Sequence, residues 1–236
     1  MKLLYVFPHP DDESFGPALA ISRQRRDGHE VHLLTLTRGG ATKLRHKFGH
    51  TIEQMGKVRL EEMQDVAKVL GLADLTVLDF ADSGLKELDP RVLEDAVARH
   101  IRKIQPQIVV TYPVHGISGF HDHIVTYAVV KRVFLALKDE GAAHIRRLAF
   151  ITLPESFSGS APGIHKMHYS TAAEIDCVVP IDGRAKEDFH RSLDCYVTYQ
   201  EMIDKTGVRK ATWNGVSFEI FQEEHDPPLT DLCHFD

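Results

Sequence analysis

The sequence predicts an α/β fold, a mostly parallel sheet with helices on both faces, in one catalytic domain over residues 1–236. Three observations predict it. Short apolar runs of strand length recur up to Leu153. Stretches with helical spacing follow them in turn. The runs are continuous rather than alternating, the pattern of strands buried on both faces.

Leu3 to Phe7 is the first run and the first expected strand. Ser14 to Asp27 reads as a helix closed by Gly28, and Val31 to Thr37 as the second strand. Ile52 to Leu70 has an apolar stripe of Val58, Met63, Val66, Val69 and Leu70 and stops at Gly71, which predicts a long helix. Leu75 to Leu78 is the third strand. Asp89 and Pro90 are cap and first position of a helix running to Ile104. Ile108 to Tyr112 is strand four, Asp122 to Lys138 a helix ended near Gly141, and Leu148 to Leu153 strand five. Residues 154–173 are rich in Ser, Gly, Pro and His without a period, and read as a long loop. A strand (Glu174 to Val179), a helix (Arg184 to Met202) and a closing strand (Val216 to Phe221) follow, with an irregular tail from Asp226.

Composition narrows the function. A net charge of -6 and short basic runs leave no stripe for nucleic acid or an anionic membrane surface. Charges recur too often for a membrane span. Three cysteines, Cys177, Cys195 and Cys233, fit neither a disulfide framework nor a zinc knuckle. The apolar run at the N-terminus is too short for a secretory signal, so a cytoplasmic setting is expected. No G-x-G-x-x-G follows the first strand, which disfavours a dinucleotide-binding protein. The sequence leaves room for a homo-oligomer.

Ligands of open α/β sheets bind outside the carboxyl ends of the strands. The loop after strand one reads Pro8-His9-Pro10-Asp11-Asp12-Glu13, and the loop after strand four contains Gly119-Phe120-His121-Asp122-His123. Imidazoles and carboxylates at a strand-to-helix turn suit a divalent metal with an open position for water. His9 and Asp12, three apart around a turn, can converge on one ion, and His123 can close the triangle. Asp11 and Glu13 exceed what three ligands require, and one of them is free to act as a base. Alone, each segment has a plainer explanation: acidic residues favour a helix start through its dipole, and His-Pro makes a turn. Both at one sheet edge tip the balance to a site.

The run Val6 to Glu13 resembles the signature of the PIG-L/LmbE-like zinc N-deacetylases. Thr37-Arg38-Gly39-Gly40 is similar to that family's Thr-x-Gly turn, Arg59-Leu60-Glu61-Glu62 to its R-x-x-E helix, Asp82-Ser83-Gly84 to a substrate-side loop, and Glu219 with Phe221 to its E-x-F strand. The resemblance covers most of the chain. It implies a Rossmann-like fold, zinc (Zn2+) held by His9, Asp12 and His123, and Asp11 as general base. It also implies Arg59 and Asp82 as contacts to a small-molecule N-acetylated sugar conjugate. Two His and one carboxylate suit ferrous iron (Fe2+) equally. The implied reaction is removal of an acetyl group from an N-acetylglucosamine-type substrate. A zinc amidase for another N-acyl or thiol conjugate and a catalytically silent metal- or sugar-binding homologue are the alternatives.

The chain departs from the pattern at one place. The family's Gly-His-Pro-Asp-His carries an oxyanion-binding, proton-donating His where this chain has Phe120. His121 and His115 are the substitutes at hand, and glycines at 116 and 119 favour His115 by letting the chain fold back. Asp122, which supports the family His from outside the ligand set, loses that partner. His46, His50, His165 and His168 read as surface residues near the mouth of the site, and Trp213 and Tyr112 as core, rim or sugar-stacking residues.

Overall fold

The computed structural model describes residues 1–157 and 166–235. Seven strands form one sheet: β1 (Lys2–Phe7), β2 (Glu30–Thr37), β3 (Asp74–Phe80), β4 (Ile108–Thr111), β5 (Arg147–Thr152), β6 (Cys177–Val179) and β7 (Val216–Ile220). Their order is β3-β2-β1-β4-β5-β7-β6. Only β7 runs against the others, pairing antiparallel with both β5 and β6. The mostly parallel sheet is therefore as the sequence predicts.

The continuous apolar run of β1 explains itself in three dimensions. Leu3, Tyr5 and Phe7 enter the core on one face, and Leu4 and Val6 the core on the other. Side chains of a strand alternate faces, so only a strand covered twice is apolar throughout. Helices α1 (Pro17–Arg26), α2 (Ile52–Leu70) and α5 (Gly183–Cys195) cover the first face. Helices α3 (Pro90–Ile104) and α4 (His121–Asp139) cover the second. The α2 start is fixed by a reciprocal capping box between Thr51 and Gln54, and its end by Gly71 at φ 63. Such a cap contributes about 1 kcal/mol.

Three elements differ from the sequence reading by three residues or more at one end. α1 begins at Pro17, not Ser14, because Ser14 and Phe15 donate their N–H groups to the Asp11 carbonyl, and Gly16 at φ 138 turns the chain again. The expected helix Arg184 to Met202 breaks into α5 and a short α6 (Gln200–Thr206). The break is Tyr196, fully buried at φ -81 and ψ 66, whose hydroxyl is drawn toward the loop after β1. β6 is shorter than its predicted span because Ala172–Glu174 forms a turn of 3-10 helix capped by Thr171. The loop predicted at 154–173 and His165 fall partly and wholly outside the described residues.

Candidate metal centre

The chain leaves β1 toward β2 on one side of the sheet and continues through β4 on the other. β1 and β4 are neighbours with opposite onward directions, the switch point where an open α/β sheet leaves a crevice. The loops after these two strands carry His9 to Glu13 and Pro113 to Phe120.

They bring His9, Asp12 and His123 together. One donor atom from each lies within 4.8 Å of the other two. His123 Nε2 is 3.4 Å from Asp12 Oδ1, and His9 Nδ1 is 3.6 Å from Asp12 Oδ2. Tetrahedral donors 2.0–2.1 Å from an ion stand roughly 3.3 Å apart, so the spacing fits a divalent metal. The far nitrogens are also occupied. His123 Nδ1 donates to the Gly116 carbonyl at 2.9 Å, and His9 Nε2 meets Asp122 Oδ2 at 3.1 Å. Those bonds leave His123 Nε2 and His9 Nδ1 with lone pairs facing Asp12. A side chain at Gly116 would place Cβ 2.8 Å from His123 Cβ, so glycine is needed for this approach.

The electrostatics agree with the geometry. Burial, reinforced by His9, pushes the His123 pKa down to about 3, which keeps the ring a neutral ligand. Burial also disfavours charge on His9, but Asp122, Asp12, Asp82 and Asp11 outweigh it and lift that ring to about 9. A pocket that draws a proton onto a buried imidazole is one that a cation would fill. Asp12 is held by two hydrogen-bond donors, the His9 N–H at 2.8 Å and the Tyr112 hydroxyl at 2.6 Å. Tyr112 also stacks on His123, with centroids 4.1 Å apart and planes 9° from parallel. Sequence reasoning left Tyr112 open; the signal was its place directly after β4. Tyr112→Phe removes the hydroxyl while keeping the stack. Metal affinity is expected to fall about 10–100-fold, read by competition with a chromogenic chelator, with little change in thermal stability.

Asp11 occupies a backbone conformation rare outside glycine, at φ 89. Its N–H donates to the Tyr196 hydroxyl at 2.8 Å. Its carboxylate receives Arg59 Nη2 at 2.7 Å, and the same guanidinium donates to the Pro10 carbonyl at 2.8 Å. Arg59 is buried and lies over the Tyr199 ring at 4.3 Å. Gly39 must be glycine here: at φ 63, a Cβ would come within 2.9 Å of Arg59 Nη1. Burial pushes the Asp11 carboxyl up, to about 6, with Arg59 opposing. Glu13, the other spare carboxylate, turns away. It accepts from Ser14 and Tyr196, each at 2.7 Å, and burial raises it to about 7. Of the two spare carboxylates, only Asp11 lines the cavity over the cluster.

Asp122 has found another partner. It takes His9 Nε2 together with the backbone N–H groups of Ser83 (2.8 Å) and Leu85 (3.2 Å), tying the loop after β3 to the cluster. Asp82 lines the cavity, accepts the Ala41 N–H at 2.7 Å, and has Oδ1 3.4 Å from His9 Nε2. His9, Asp82 and Asp122 thus form an overlapping trio, in which Asp122 is the more committed to backbone donors. His121, first residue of α4, lines the cavity, as does Phe120, whose ring meets His123 edge-on at 5.6 Å. His115 does not reach it, against the ranking drawn from sequence. Gly116 and Ile117 both adopt positive φ, 62 and 59, and His115 instead accepts the Ile117 N–H and stacks on His168. The cavity has a volume of about 720 Å³.

The α/β sheet thus carries at its switch point two histidines and an aspartate that could hold a metal. The model of the family described as PIG-L, GlcNAc-PI de-N-acetylase, matches residues 4–134, and the chain belongs to that family. It is similar to the mycothiol S-conjugate amidase of Streptomyces coelicolor, 31% identical over 188 residues that make up 72% of this chain and 60% of that protein. The 1D-myo-inositol 2-acetamido-2-deoxy-alpha-D-glucopyranoside deacetylase of Rhodococcus opacus is 27% identical over a 267-residue alignment covering 95% of this chain and 90% of that protein. The chain thus spans less than two thirds of the length of the first relative. Its fold is shared with a deacetylase of teicoplanin biosynthesis, at a TM-score of 0.70 and 14% identity over 93% of this chain and 97% of the other.

Proposed function

We propose that the protein is a metal-dependent amidase that removes the acetyl group of an N-acetylglucosamine-type substrate. One observation carries it: Asp11 is a carboxylate beside the three ligands, facing the cavity, and none of the ligand positions needs it. His9, Asp12 and His123 would hold the metal, zinc in the first instance. A divalent ion there supplies Lewis acidity, polarising a carbonyl and lowering the pKa of water toward about 7.

Asp11 takes a proton from the attacking water as its oxygen bonds to the amide carbon. Arg59 holds the acceptor oxygen in place, and the strained backbone aims it into the cavity. The C–N bond then breaks, and the leaving nitrogen receives a proton. His121, which lines the cavity, delivers it in this reading, where the family pattern has the residue now replaced by Phe120. Asp82 orients hydroxyl groups of the sugar. The three free cysteines and the acidic balance suit a cytoplasmic enzyme acting on a small molecule rather than on nucleic acid, with all 236 residues in one catalytic domain.

Phe120 favours a second reading, a silent binding protein, and one experiment separates the two. Purified protein is assayed for metal content and for acetate release from N-acetylglucosamine and its inositol glycoside. The enzyme reading expects about one equivalent of metal and release that stops with chelator. Metal binding with no release from any amide supports the silent reading. His121→Ala is expected to lower kcat about 10²-fold or more, and His115→Ala to leave it near the native value. Equal losses in both variants would contradict the assignment to His121.

A further inference from the structure

A second set of metal-type donors stands at the opposite, amino edge of the sheet. His29 comes immediately before β2, and Asp231 and Cys233 lie in the tail that follows β7. One donor atom from each of the three lies within 4.8 Å of the other two. None of the three lines the cavity over His9, Asp12 and His123.

Separate parts of the chain hold these donors in place. β1 and β2 pair in register from Lys2 and Glu30, which fixes the turn carrying His29. The His29 N–H donates to the Gln24 carbonyl at 3.1 Å, and its own carbonyl accepts from Arg25. The tail is anchored independently. The Leu229 N–H donates to the Asp176 carbonyl, and the Leu229 carbonyl accepts the Val178 N–H, both at 2.8 Å. Buried Arg147, first residue of β5, donates to the carbonyls of Leu232 and His234. Leu232 is fully buried and Cys233 is 7% exposed. The Cys233 N–H donates to Asp231 Oδ1 at 2.8 Å, which sets these two relative to each other. Among the described residues, no hydrogen bond or ion pair joins His29 to Asp231 or Cys233. Strand register and Arg147, not mutual bonding, bring the imidazole to the carboxylate and the thiol.

Thiolate, imidazole and carboxylate together suit a divalent ion such as zinc or cobalt. We propose that His29, Asp231 and Cys233 form a second metal site, for a divalent ion of the zinc type, that ties the C-terminal tail to the turn before β2. Its role is structural, since no part of it reaches the cavity. The thiol of Cys233 gives its proton to solvent as the sulfur bonds the ion. That proton opposes binding, and so does the Met1 amino group 3.1 Å from His29 Nδ1. The site therefore fills after the one at the switch point. It stands or falls apart from the amidase reading.

Cobalt(II) is the probe, because its spectrum reports its ligands. Among His9, Asp12 and His123 it meets only nitrogen and oxygen. At the tail it meets sulfur, and a thiolate ligand gives a charge-transfer band in the near ultraviolet. Cobalt chloride is titrated into the metal-free protein with a phosphine reductant present. The band is expected to be absent during the first equivalent and to rise and saturate with the second. In His9→Ala, which impairs the first site, it should rise from the first additions. Cys233→Ser should abolish the band, and Cys195→Ser, the control for the partly exposed thiol, should leave it. Outer partners of metal ligands alone are worth about 10–100-fold in affinity, so His29→Gln should weaken the second equivalent by at least that much. His29 sits in a turn, so this variant decides the matter if Cys233→Ser does not fold. No thiolate band at saturating cobalt overturns the proposal, as does a band that survives Cys233→Ser or is unchanged in His29→Gln.

Hydrogen exchange reads the tie itself. At a free zinc concentration of a hundred times the Kd of this site, exchange from Leu229 to His234 should slow by up to about a hundredfold. His29→Gln should remove that protection. Exchange in the tail that ignores the second equivalent of zinc overturns the structural role.

Discussion

Asp11→Asn is expected to keep the metal and lose hydrolysis by about 10²–10⁴-fold. Asparagine is the right replacement for two reasons. It tolerates the positive φ of 89 at this position, whereas alanine would add backbone strain to the loss of the carboxylate. It also keeps a carbonyl oxygen for Arg59, whose guanidinium is buried between Asp11 and the Tyr199 ring. The loss should fall on kcat, since Asp11 has no place in the ligand set. Parallel metal analysis and steady-state rates check it. Near-native turnover at full metal occupancy would remove Asp11 from the role of base.

The second large effect is His123→Ala. The ring is the proposed ligand, stacks on Tyr112, donates through Nδ1 to the Gly116 carbonyl and is 6% exposed. Loss of the Nδ1 bond to Gly116 alone would cost about 1 kcal/mol of stability. Loss of the metal costs more. A ligand present at a hundred times its Kd stabilises the folded state by about 2.7 kcal/mol, so zinc should raise the melting temperature of the native protein by several degrees. His123→Ala should show little or no such shift and no hydrolysis. A variant that melts lower but still gains stability from zinc, to the native extent, would mean that His123 is not a ligand.

What the sequence revealed and concealed follows from how local each feature is. β1 was legible because burial on two faces leaves a continuous apolar run, and α2 because an apolar stripe at helical spacing runs up to a stop at Gly71. His9, Asp12 and His123 could be expected to meet because the loop after β1 and the loop-to-helix segment after β4 leave from neighbouring strand ends of the sheet. The supports of the site were hidden because each is a long-range contact. Nothing near Arg59 shows that it reaches back 48 positions to Asp11, or that Tyr196 comes from 185 positions away. Tyr196 also marks the break between α5 and α6: it is non-helical, and its hydroxyl accepts the Asp11 N–H and donates to Glu13. His115 was misplaced for a different reason. Its direction depends on positive φ at Ile117, a β-branched residue that gives no hint of it in sequence. Asp122 kept its supporting role but changed partner, to His9 and the loop after β3, which no motif discloses.

The most direct test of the account is anomalous diffraction at the zinc edge from crystals of zinc-loaded protein. The account predicts one strong peak at the switch point, about 2.0–2.2 Å from His9 Nδ1, an Asp12 carboxylate oxygen and His123 Nε2, with Asp11 outside bonding distance. A peak at the separate cluster of His29, Asp231 and Cys233, with none among His9, Asp12 and His123, would contradict it.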